Sequence, residues 1–272
     1  MSETEYGSDS GRAASGPARG ARRAEMVQLA QEISQCRRCP RLVAWREQVA
    51  RERRAAFRDE HYWGRPLPGF GDPAARVLLL GLAPAAHGAN RTGRMFTGDR
   101  SGEFLFAALW RTGFANRPES ISLEDGLRLS GAFVTAAVRC APPANRPTPE
   151  ERELCRPWTV RELSLLSGVR VVVCLGAFAW DAALRLRDAP GRRPRFAHGA
   201  ELPARADEPP EAIAGAAGVG RAGELAMLGC FHPSQQNTFT GRLTEPMIDD
   251  VLLRARTIAG LGPSAGRGRP SR

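Results

Sequence analysis

Four short apolar runs constrain the fold of this 272-residue chain more than any other feature of its sequence. Segments with helical spacing separate them, as at residues 102–112 and 150–166. Val- and Leu-rich runs that alternate with helices are typical of parallel strands buried on both faces of a sheet. The sequence therefore predicts one α/β domain with a central parallel sheet of four strands. The predicted strands are 76–82, 132–138, 169–175 and 225–230.

Composition and charge exclude several classes of protein. Hydrophobic residues make up 42% of the chain, which is enough for a buried core. The longest apolar stretch, residues 171–180, has half of the roughly 20 residues that a membrane-spanning helix needs. The N-terminal segment lacks the apolar core of a secretory signal, so we expect a cytoplasmic protein without a membrane partner. All 39 basic side chains are Arg and the net charge is +10, which is compatible with a polyanionic partner.

Outside the predicted sheet the sequence changes character several times. Residues 1–24 have low complexity and no periodicity, which predicts a disordered tail. Eight Arg and two Glu between residues 37 and 58 accompany a helical pattern, so this region is predicted to be helical and Arg-rich. We expect a single domain at 25–259, with a partly mobile insertion at 190–224 that is rich in Ala, Gly, Pro and Arg. Residues 260–272 are typical of a basic disordered tail.

The six cysteines divide into four that are spaced like metal ligands and two, Cys174 and Cys230, that lie in predicted strands as small hydrophobes. The first two of the four form a C-x2-C pair, and fourteen residues separate the other two. In a reducing cytosol this pattern favours a metal site over disulfides. The wide second spacing favours a [4Fe-4S] cluster over zinc, with unligated cysteines as the alternative. The four are Cys36, Cys39, Cys140 and Cys155.

Ligands of parallel α/β sheets bind beyond the carboxyl ends of the strands, so the loops after these ends form the candidate site. The loop at 81–102 is rich in Gly and polar residues, and the amides that open the next helix favour an anion. Asp99 is either the N-cap of that helix or a catalytic carboxylate. Asn145 is either a turn residue or a reader of base edges, and His232 is either structural or catalytic. Residues 235–240 combine polar side chains with an aromatic one, a composition suited to a nucleic-acid groove.

Three motifs in these loops closely resemble those of one enzyme family. GLAPAAHGANRTGRMFTGD at 81–99, VRCAPPAN at 138–145 and HPSQQNTFTGRLT at 232–244 resemble the motif regions of the family 5 uracil-DNA glycosylases, the type B enzymes of bacteria and archaea. The cysteine spacing is also similar to the iron-sulfur ligands of that family. The resemblance covers roughly residues 26–259. It implies a three-layer sandwich in which helices cover both faces of a four-stranded parallel sheet.

The resemblance implies a role for each residue that matches a motif. Asp99 would position water or stabilise a cationic sugar, Asn145 would hydrogen-bond the base, and His232 would contact the base or stabilise the leaving group. Substrate-binding residues would be Gly81, Leu82, Ala83, Pro84, Ala85, Phe96 and Ser234, with Phe96 stacked on a flipped base. DNA would be bound by Arg91, Arg94, Gln235, Gln236, Asn237 and Arg242. A [4Fe-4S] cluster would be held by Cys36, Cys39, Cys140 and Cys155.

The implied activity is DNA repair by base excision. The enzyme would flip uracil and other deaminated or damaged bases out of duplex or single-stranded DNA and hydrolyse the N-glycosidic bond, leaving an abasic site. We also expect a monomer associated with the bacterial nucleoid, without Mg²⁺ or a nucleotide cofactor. Two alternatives stay open: a non-catalytic iron-sulfur or zinc protein that binds uracil-containing or abasic DNA, and a nucleotide or phosphomonoester hydrolase that uses the Gly-rich loop.

Overall fold

A six-stranded sheet forms the centre of the computed structural model, which describes residues 17–187, 194–204 and 225–262. In chain order the strands are β1 (Phe70–Gly71), β2 (Val77–Gly81), β3 (Ala132–Ala136), β4 (Val171–Leu175), β5 (Glu201–Leu202) and β6 (Ala226–Cys230). The four five-residue strands are parallel and buried along their whole length. The sheet order is β1-β3-β2-β4-β6-β5, with an antiparallel two-residue strand at each edge.

The prediction of an α/β fold with a parallel sheet is confirmed, but the predicted number of strands is wrong. Each of the four parallel strands lies within its predicted run. The edge strands β1 and β5 raise the total to six. A two-residue strand is too short to show a periodic pattern, so the sequence did not reveal these edges.

Helices pack on both faces of the sheet and produce three layers. They are α1 (Pro17–Ser34), α2 (Pro40–Glu52), α3 (Ala89–Thr92), α4 (Arg100–Arg111), α5 (Pro149–Leu165), α6 (Ala177–Leu186), α7 (Gln235–Phe239) and α8 (Glu245–Ile258). Helices α4 and α8 cover one face, where they bury Val77 and Leu79 of β2. Helices α5 and α6 cover the other face and bury Leu78 and Leu80. Each such side chain contributes about 1.5–3 kcal/mol on burial, so the strand's double-sided burial fixes its place in the sheet.

Helix α1 begins at Pro17, inside the segment that the sequence predicted to be a disordered tail. Leu29 and Ile33 are buried against α2, and Arg22 Nη1 donates a hydrogen bond to Ser167 Oγ at 2.8 Å. The predicted boundary at residue 24 is therefore wrong, because residues 17–24 are helical. Their composition gives no helical pattern, but the buried C-terminal half of α1 stabilises the whole helix. Residues 1–16 lie outside the described part of the chain.

The described part of the predicted insertion, residues 194–204, packs closely against the core. Strand β5 pairs with β6, and Trp180 Nε1 donates to the Pro194 carbonyl at 2.9 Å. The Phe196 ring contacts the rings of Trp180 and Phe231, so this segment supports the loop that follows β6. The prediction of a mobile insertion is wrong for these residues, because edge-strand pairing orders them. The rest of it, and the predicted basic tail from residue 263 onward, lie outside the described residues.

In the described ranges, no helix has both the length and the apolar character needed to cross a bilayer.

Candidate active site

A cavity of about 250 Å³ lies beyond the carboxyl ends of the parallel strands. It is lined by Leu82, Ala83, Pro84, Ala85, Ala89, Met95, Phe96, Asp99, Ser101, Asn145, His232 and Ser234. Three separate loops, which follow β2, β3 and β6, contribute to it. The structure therefore brings together all three residues predicted to be catalytic and all but one of those predicted to bind substrate.

The exception is Gly81, which lies beneath the Phe96 ring. A Cβ on Gly81 would lie 2.8 Å from Phe96 Cζ, so only glycine lets the ring pack on the end of β2. Phe96 itself has a φ of +53°, which is unfavourable for a bulky residue. This backbone conformation and the contact with Gly81 together fix one face of the ring against the sheet.

Asp99 is the N-cap of α4, which confirms one of the two alternatives that the sequence left open. Its carboxyl group also lines the cavity, where the catalytic role stays a prediction. Its Oδ1 accepts a hydrogen bond from the Gly102 amide at 3.0 Å. Burial raises the pKa of the Asp99 carboxyl, and the amides of Gly102 and Ser101 partly offset this effect. Because burial is the larger of the two effects, the Asp99 carboxylate is a stronger base than one in water.

His232 lines the same cavity and is buried. Burial lowers the pKa of its imidazole to about 4, so the ring is neutral at pH 7. Its ring centroid is 6.0 Å from that of Phe96. The backbone of Gly176 packs closely against His232. Gly176 has a φ of +98°, and a Cβ at this residue would lie only 3.3 Å from the Cβ of His232. A neutral imidazole is suited to donate a hydrogen bond to an anion that forms during a reaction.

Asn145 reaches the cavity from the loop after β3. Both Asn145 and the preceding Ala144 have a left-handed backbone, with φ values of 55° and 50°. Asn tolerates this conformation better than most residues, so the identity of residue 145 suits its turn as well as its place in the wall. Its side-chain amide makes no hydrogen bond within the described residues, which leaves a donor and an acceptor free for a ligand.

Arg91 and Arg94, predicted to bind DNA, are instead occupied inside the protein. Arg91 pairs with Glu60 and donates from Nη2 to the Gly98 carbonyl at 2.9 Å. Arg94 is buried and pairs with Asp125, with Nη1 to Oδ1 at 3.0 Å. Both side chains brace the loop that carries Phe96 and Asp99. The buried Arg94 is therefore unavailable to a DNA phosphate in this structure, while the DNA-binding role of the half-buried Arg91 stays a prediction.

The segment after His232 is also more ordered than a flexible DNA-binding loop. Residues 235–239 form the short helix α7, and Asn237 Nδ2 donates to the His232 carbonyl at 2.9 Å. Asn237 is thus placed to hold His232 in position, and its contact with DNA stays a prediction. Gln235, Gln236 and Arg242 are exposed and remain available for DNA.

Sequence reasoning missed Phe239 as an individual residue. Its side chain is 69% exposed at the end of α7, and the Arg100 guanidinium lies 5.2 Å from its ring centroid. Ala89 and Met95 of the cavity wall were also missed, whereas Ser101 belongs to the helix opening that the sequence marked as favourable to an anion. Ala89 and Met95 lie inside the quoted first-loop region, but small or apolar residues carry no chemical signature that would single them out.

The four cysteines spaced like metal ligands meet beside the loop that carries Asn145. Cys140 and Cys155 are buried in an apolar cluster formed by α1, α2 and α5, and Cys36 and Cys39 pack against it. Burial raises the pKa of Cys140 to about 11 and that of Cys155 to about 12. The prediction that Cys174 and Cys230 are buried in strands is confirmed.

Nitrogen donors approach two of these sulfur atoms. Arg46 Nη1 donates to Cys140 Sγ at 3.3 Å, and the Arg139 amide donates to Cys155 Sγ at the same distance. Across residues 17–187, 194–204 and 225–262, no three His, Cys, Asp or Glu side chains are placed to hold a metal ion as they stand. The thiols share one apolar site without forming a ligand set.

A sequence profile described as the uracil DNA glycosylase superfamily matches residues 68–255 of the chain. This range contains the whole sheet and every residue of the cavity wall. Helices α1 and α2 lie before it. The chain belongs to the uracil DNA glycosylase superfamily. The prediction made from the three motifs is confirmed at this level.

Several relatives within the superfamily are similar over most of their length. A protein of Mycobacterium tuberculosis named type-5 uracil-DNA glycosylase is 54% identical over 84% of this chain and 80% of its own. A protein of the same name from Thermus thermophilus is 51% identical over 85% of this chain and 97% of its own. A type-4 uracil-DNA glycosylase of Pyrobaculum aerophilum is 32% identical over 48% of this chain and 58% of its own. The type-5 proteins are thus similar to a larger part of the chain than this type-4 protein.

Proposed function

We propose that the protein is a DNA repair glycosylase that releases uracil, together with other deaminated or damaged bases, by hydrolysis of the N-glycosidic bond. The observation that carries the proposal is the cavity wall, which combines the Asp99 carboxylate, the neutral imidazole of His232, the free amide of Asn145 and the Phe96 ring. The type-5 names of similar proteins point to the same activity.

Base recognition would depend on Phe96 and Asn145. An aromatic ring stacks on a flat base without regard to most of its substituents, whereas the Asn amide can pair with a donor and an acceptor on one base edge. Leu82, Ala83, Pro84 and Ala85 complete an apolar wall with little hydrogen-bonding selectivity. We therefore expect the pocket to accept several lesions that present a similar edge.

Different side chains would stabilise the two charges that develop during bond cleavage. As the glycosidic bond stretches, negative charge develops on the base and positive charge on the sugar. The neutral His232 ring would donate a hydrogen bond to the base anion, and Asp99 would orient the attacking water and stabilise the cationic sugar. Ala83 and Ala85 have no group that handles water, so this work falls to Asp99.

Extrusion of the base would depend on α7 and its surroundings. Flipping a nucleotide costs a few kcal/mol, and an inserted apolar wedge together with phosphate contacts offsets this cost. Phe239 is the exposed apolar side chain at that position, with Arg100 stacked on it. Gln235, Gln236 and Arg242 would contact the backbone or the base edges around the gap.

Cys36, Cys39, Cys140 and Cys155 would hold a [4Fe-4S] cluster. Arg46 supports the fit, because its side chain is 2% exposed and its Nε has no hydrogen-bond partner. Its only carboxylate partner in the described chain, Glu47, is 3.6 Å away and also pairs with Arg37. A buried cation is costly unless an anion compensates it, and an iron-sulfur cluster with four thiolates is such an anion.

The cluster would supply a structural link rather than a step of the reaction. It would join the N-terminus of α2 to the loop that follows β3 and to α5. The same loop carries Asn145, so the link would hold the base-reading amide in place. Loss of the cluster would therefore loosen the Asn145 side of the cavity.

Base release tests the proposed function. Anaerobically purified protein is incubated with a duplex that contains a single uracil, and free uracil is measured by chromatography while alkali reveals abasic sites as strand breaks. We expect both products. Tight binding without either product would indicate a non-catalytic DNA-binding protein, and release of phosphate from a nucleotide would indicate a phosphomonoester hydrolase.

A further inference from the structure

A groove on the far side of α3 from the cavity carries four guanidinium groups. It has a volume of about 500 Å³ and lies between the end of α1, one side of α2 and residues 63–65. Arg37, Arg46, Arg51 and Arg65 line it, with Glu47 as the one carboxylate among its lining residues. The formal charge of the groove is therefore strongly positive, which favours a ligand with several negative charges.

Two of these guanidinium groups are free to bind a ligand. Arg51 and Arg65 are exposed, and neither forms an ion pair within the described residues. Arg37 pairs with Glu47, whereas Arg46 is buried under the groove with an unpartnered Nε. The groove thus offers two free surface cations, Arg51 and Arg65, to a ligand, whereas the buried Arg46 is the cation that the proposed cluster would compensate.

An aromatic side chain lies in the same groove. The Trp63 indole is half-buried there, and the Arg65 guanidinium lies 5.7 Å from its ring centroid. Arginines that follow a backbone and an aromatic face beside them are the combination that proteins use along nucleic-acid strands. A small inorganic anion would need neither the indole nor a groove of this size.

The groove is joined to the cavity through α3. The Trp63 amide donates to the Arg91 carbonyl at 2.9 Å, and the Gly64 amide donates to the Asn90 carbonyl at 3.1 Å. Ala89, the first residue of α3, lines the cavity on the other side. A helix is about 10 Å across, so the groove and the cavity lie within a few nucleotides of each other along a DNA strand.

We propose that this groove binds the sugar-phosphate backbone of the DNA a few nucleotides from the flipped base, with Arg51 and Arg65 on the phosphates. The inference rests on the proposed function, because it takes the flipped base to occupy the cavity. It assigns a strand contact to Arg51 and Arg65, which lie outside the three motifs.

The test compares two double variants by fluorescence anisotropy on a duplex with a single tetrahydrofuran abasic-site analogue, over a series of salt concentrations. Arg51→Gln with Arg65→Gln removes the two free charges of the groove. Arg128→Gln with Arg170→Gln is the matched control, since both residues are exposed and lie just before β3 and β4, toward the amino ends of the strands and away from the cavity. The same duplex with a neutral methylphosphonate at each linkage in turn locates the contact.

We expect the groove variant to bind about tenfold more weakly than wild type and to lower the slope of log K against log salt by about 2, while the control matches wild type. Neutralising one linkage within a few nucleotides of the abasic analogue should weaken binding by wild type but not by the groove variant. The proposal would be overturned if the two variants had equal slopes of log K against log salt. It would also be overturned if no neutralised linkage affected wild type more than the groove variant. Anisotropy needs no chemistry, so failure of uracil release would leave this result readable and would count against the proposed function alone.

Discussion

Gly88 and Asp99 are in such close contact that a side chain on Gly88 would overlap the carboxylate. A Cβ built on Gly88 would collide with Asp99 Oδ2, while Oδ1 accepts a hydrogen bond from the Gly102 amide at 3.0 Å. The carboxylate is therefore held between the loop after β2 and the start of α4. Gly88 contributes to the site by leaving room for Asp99.

Gly88→Ala should displace the Asp99 carboxylate and lower the single-turnover rate of uracil release by about 100-fold, because a shift of the order of 1 Å misaligns the attacking water. Gly20→Ala is the matched control, since a Cβ at that exposed position on α1 meets nothing within 4 Å. The rate is measured by rapid quench on a duplex with one uracil. Equal rates for the two variants would show that Asp99 does not need this position.

Arg94→Met should destabilise the fold by about 3 kcal/mol or more, because it leaves the Asp125 carboxylate buried without its partner. Burial alone would raise the pKa of Asp125, but the Arg94 ion pair and the backbone amides lower it, so the carboxylate stays charged. Urea unfolding gives the free energy. Adding Asp125→Asn should recover part of the loss; if Arg94→Met instead kept full stability and lost DNA affinity, the original DNA-binding assignment would be correct.

Acid should weaken the fold through His232. Its pKa is about 4 in the folded protein and near 6.5 in the unfolded chain, so the unfolded state binds more protons between these values. Its stabilising contribution is complete above pH 6.5 and is lost as the pH falls toward 4, by at most about 3 kcal/mol. His232→Gln should abolish this part of the pH dependence, as measured by urea unfolding between about pH 4 and 6.5. If the variant and wild type showed the same dependence of unfolding free energy on pH, His232 would not be its source.

Arg46→Met should make the proposed cluster more labile. Without the guanidinium, the hydrogen bond from Arg46 Nη1 to Cys140 Sγ and the nearby positive charge are both lost. We expect the visible absorbance of the anaerobically purified protein to bleach faster in air than that of Arg38→Met, in which the substituted residue stacks on Trp158 at the edge of the same site. A colourless wild-type protein that contains zinc would rule out the iron-sulfur assignment itself.

The sequence predicted the parallel strands and the site loops well because both leave local patterns. Continuous Val and Leu runs mark strands such as β2 and β4, and the loops after β2 and β6 hold Asp99 and His232. The roles of Arg91 and Arg94 could not be predicted in the same way. Their partners, Glu60 and Asp125, are both 31 residues distant in sequence, so only the fold reveals that the charges are already paired.

The roles of two glycines also could not be predicted from the sequence, because they depend on contacts made in the fold. Gly81 supports the Phe96 ring, and Gly176 makes room for His232, although nothing in the sequence connects either pair. Likewise, the groove that contains Arg51 and Arg65 depends on the contact of residues 63–65 with α3. Composition alone showed an excess of arginine, whereas the structure separates the paired side chains from the free ones.

The most direct measurement is the single-turnover rate of uracil release by Asp99→Asn beside its affinity for abasic-analogue DNA. We expect the rate to fall by at least about 100-fold, as for loss of a group that activates water, while the affinity stays near that of wild type. Asp59→Asn, which changes a carboxylate that is 95% exposed, should match wild type in both respects. An Asp99→Asn protein that released uracil as fast as Asp59→Asn would contradict the assignment of this cavity as the active site.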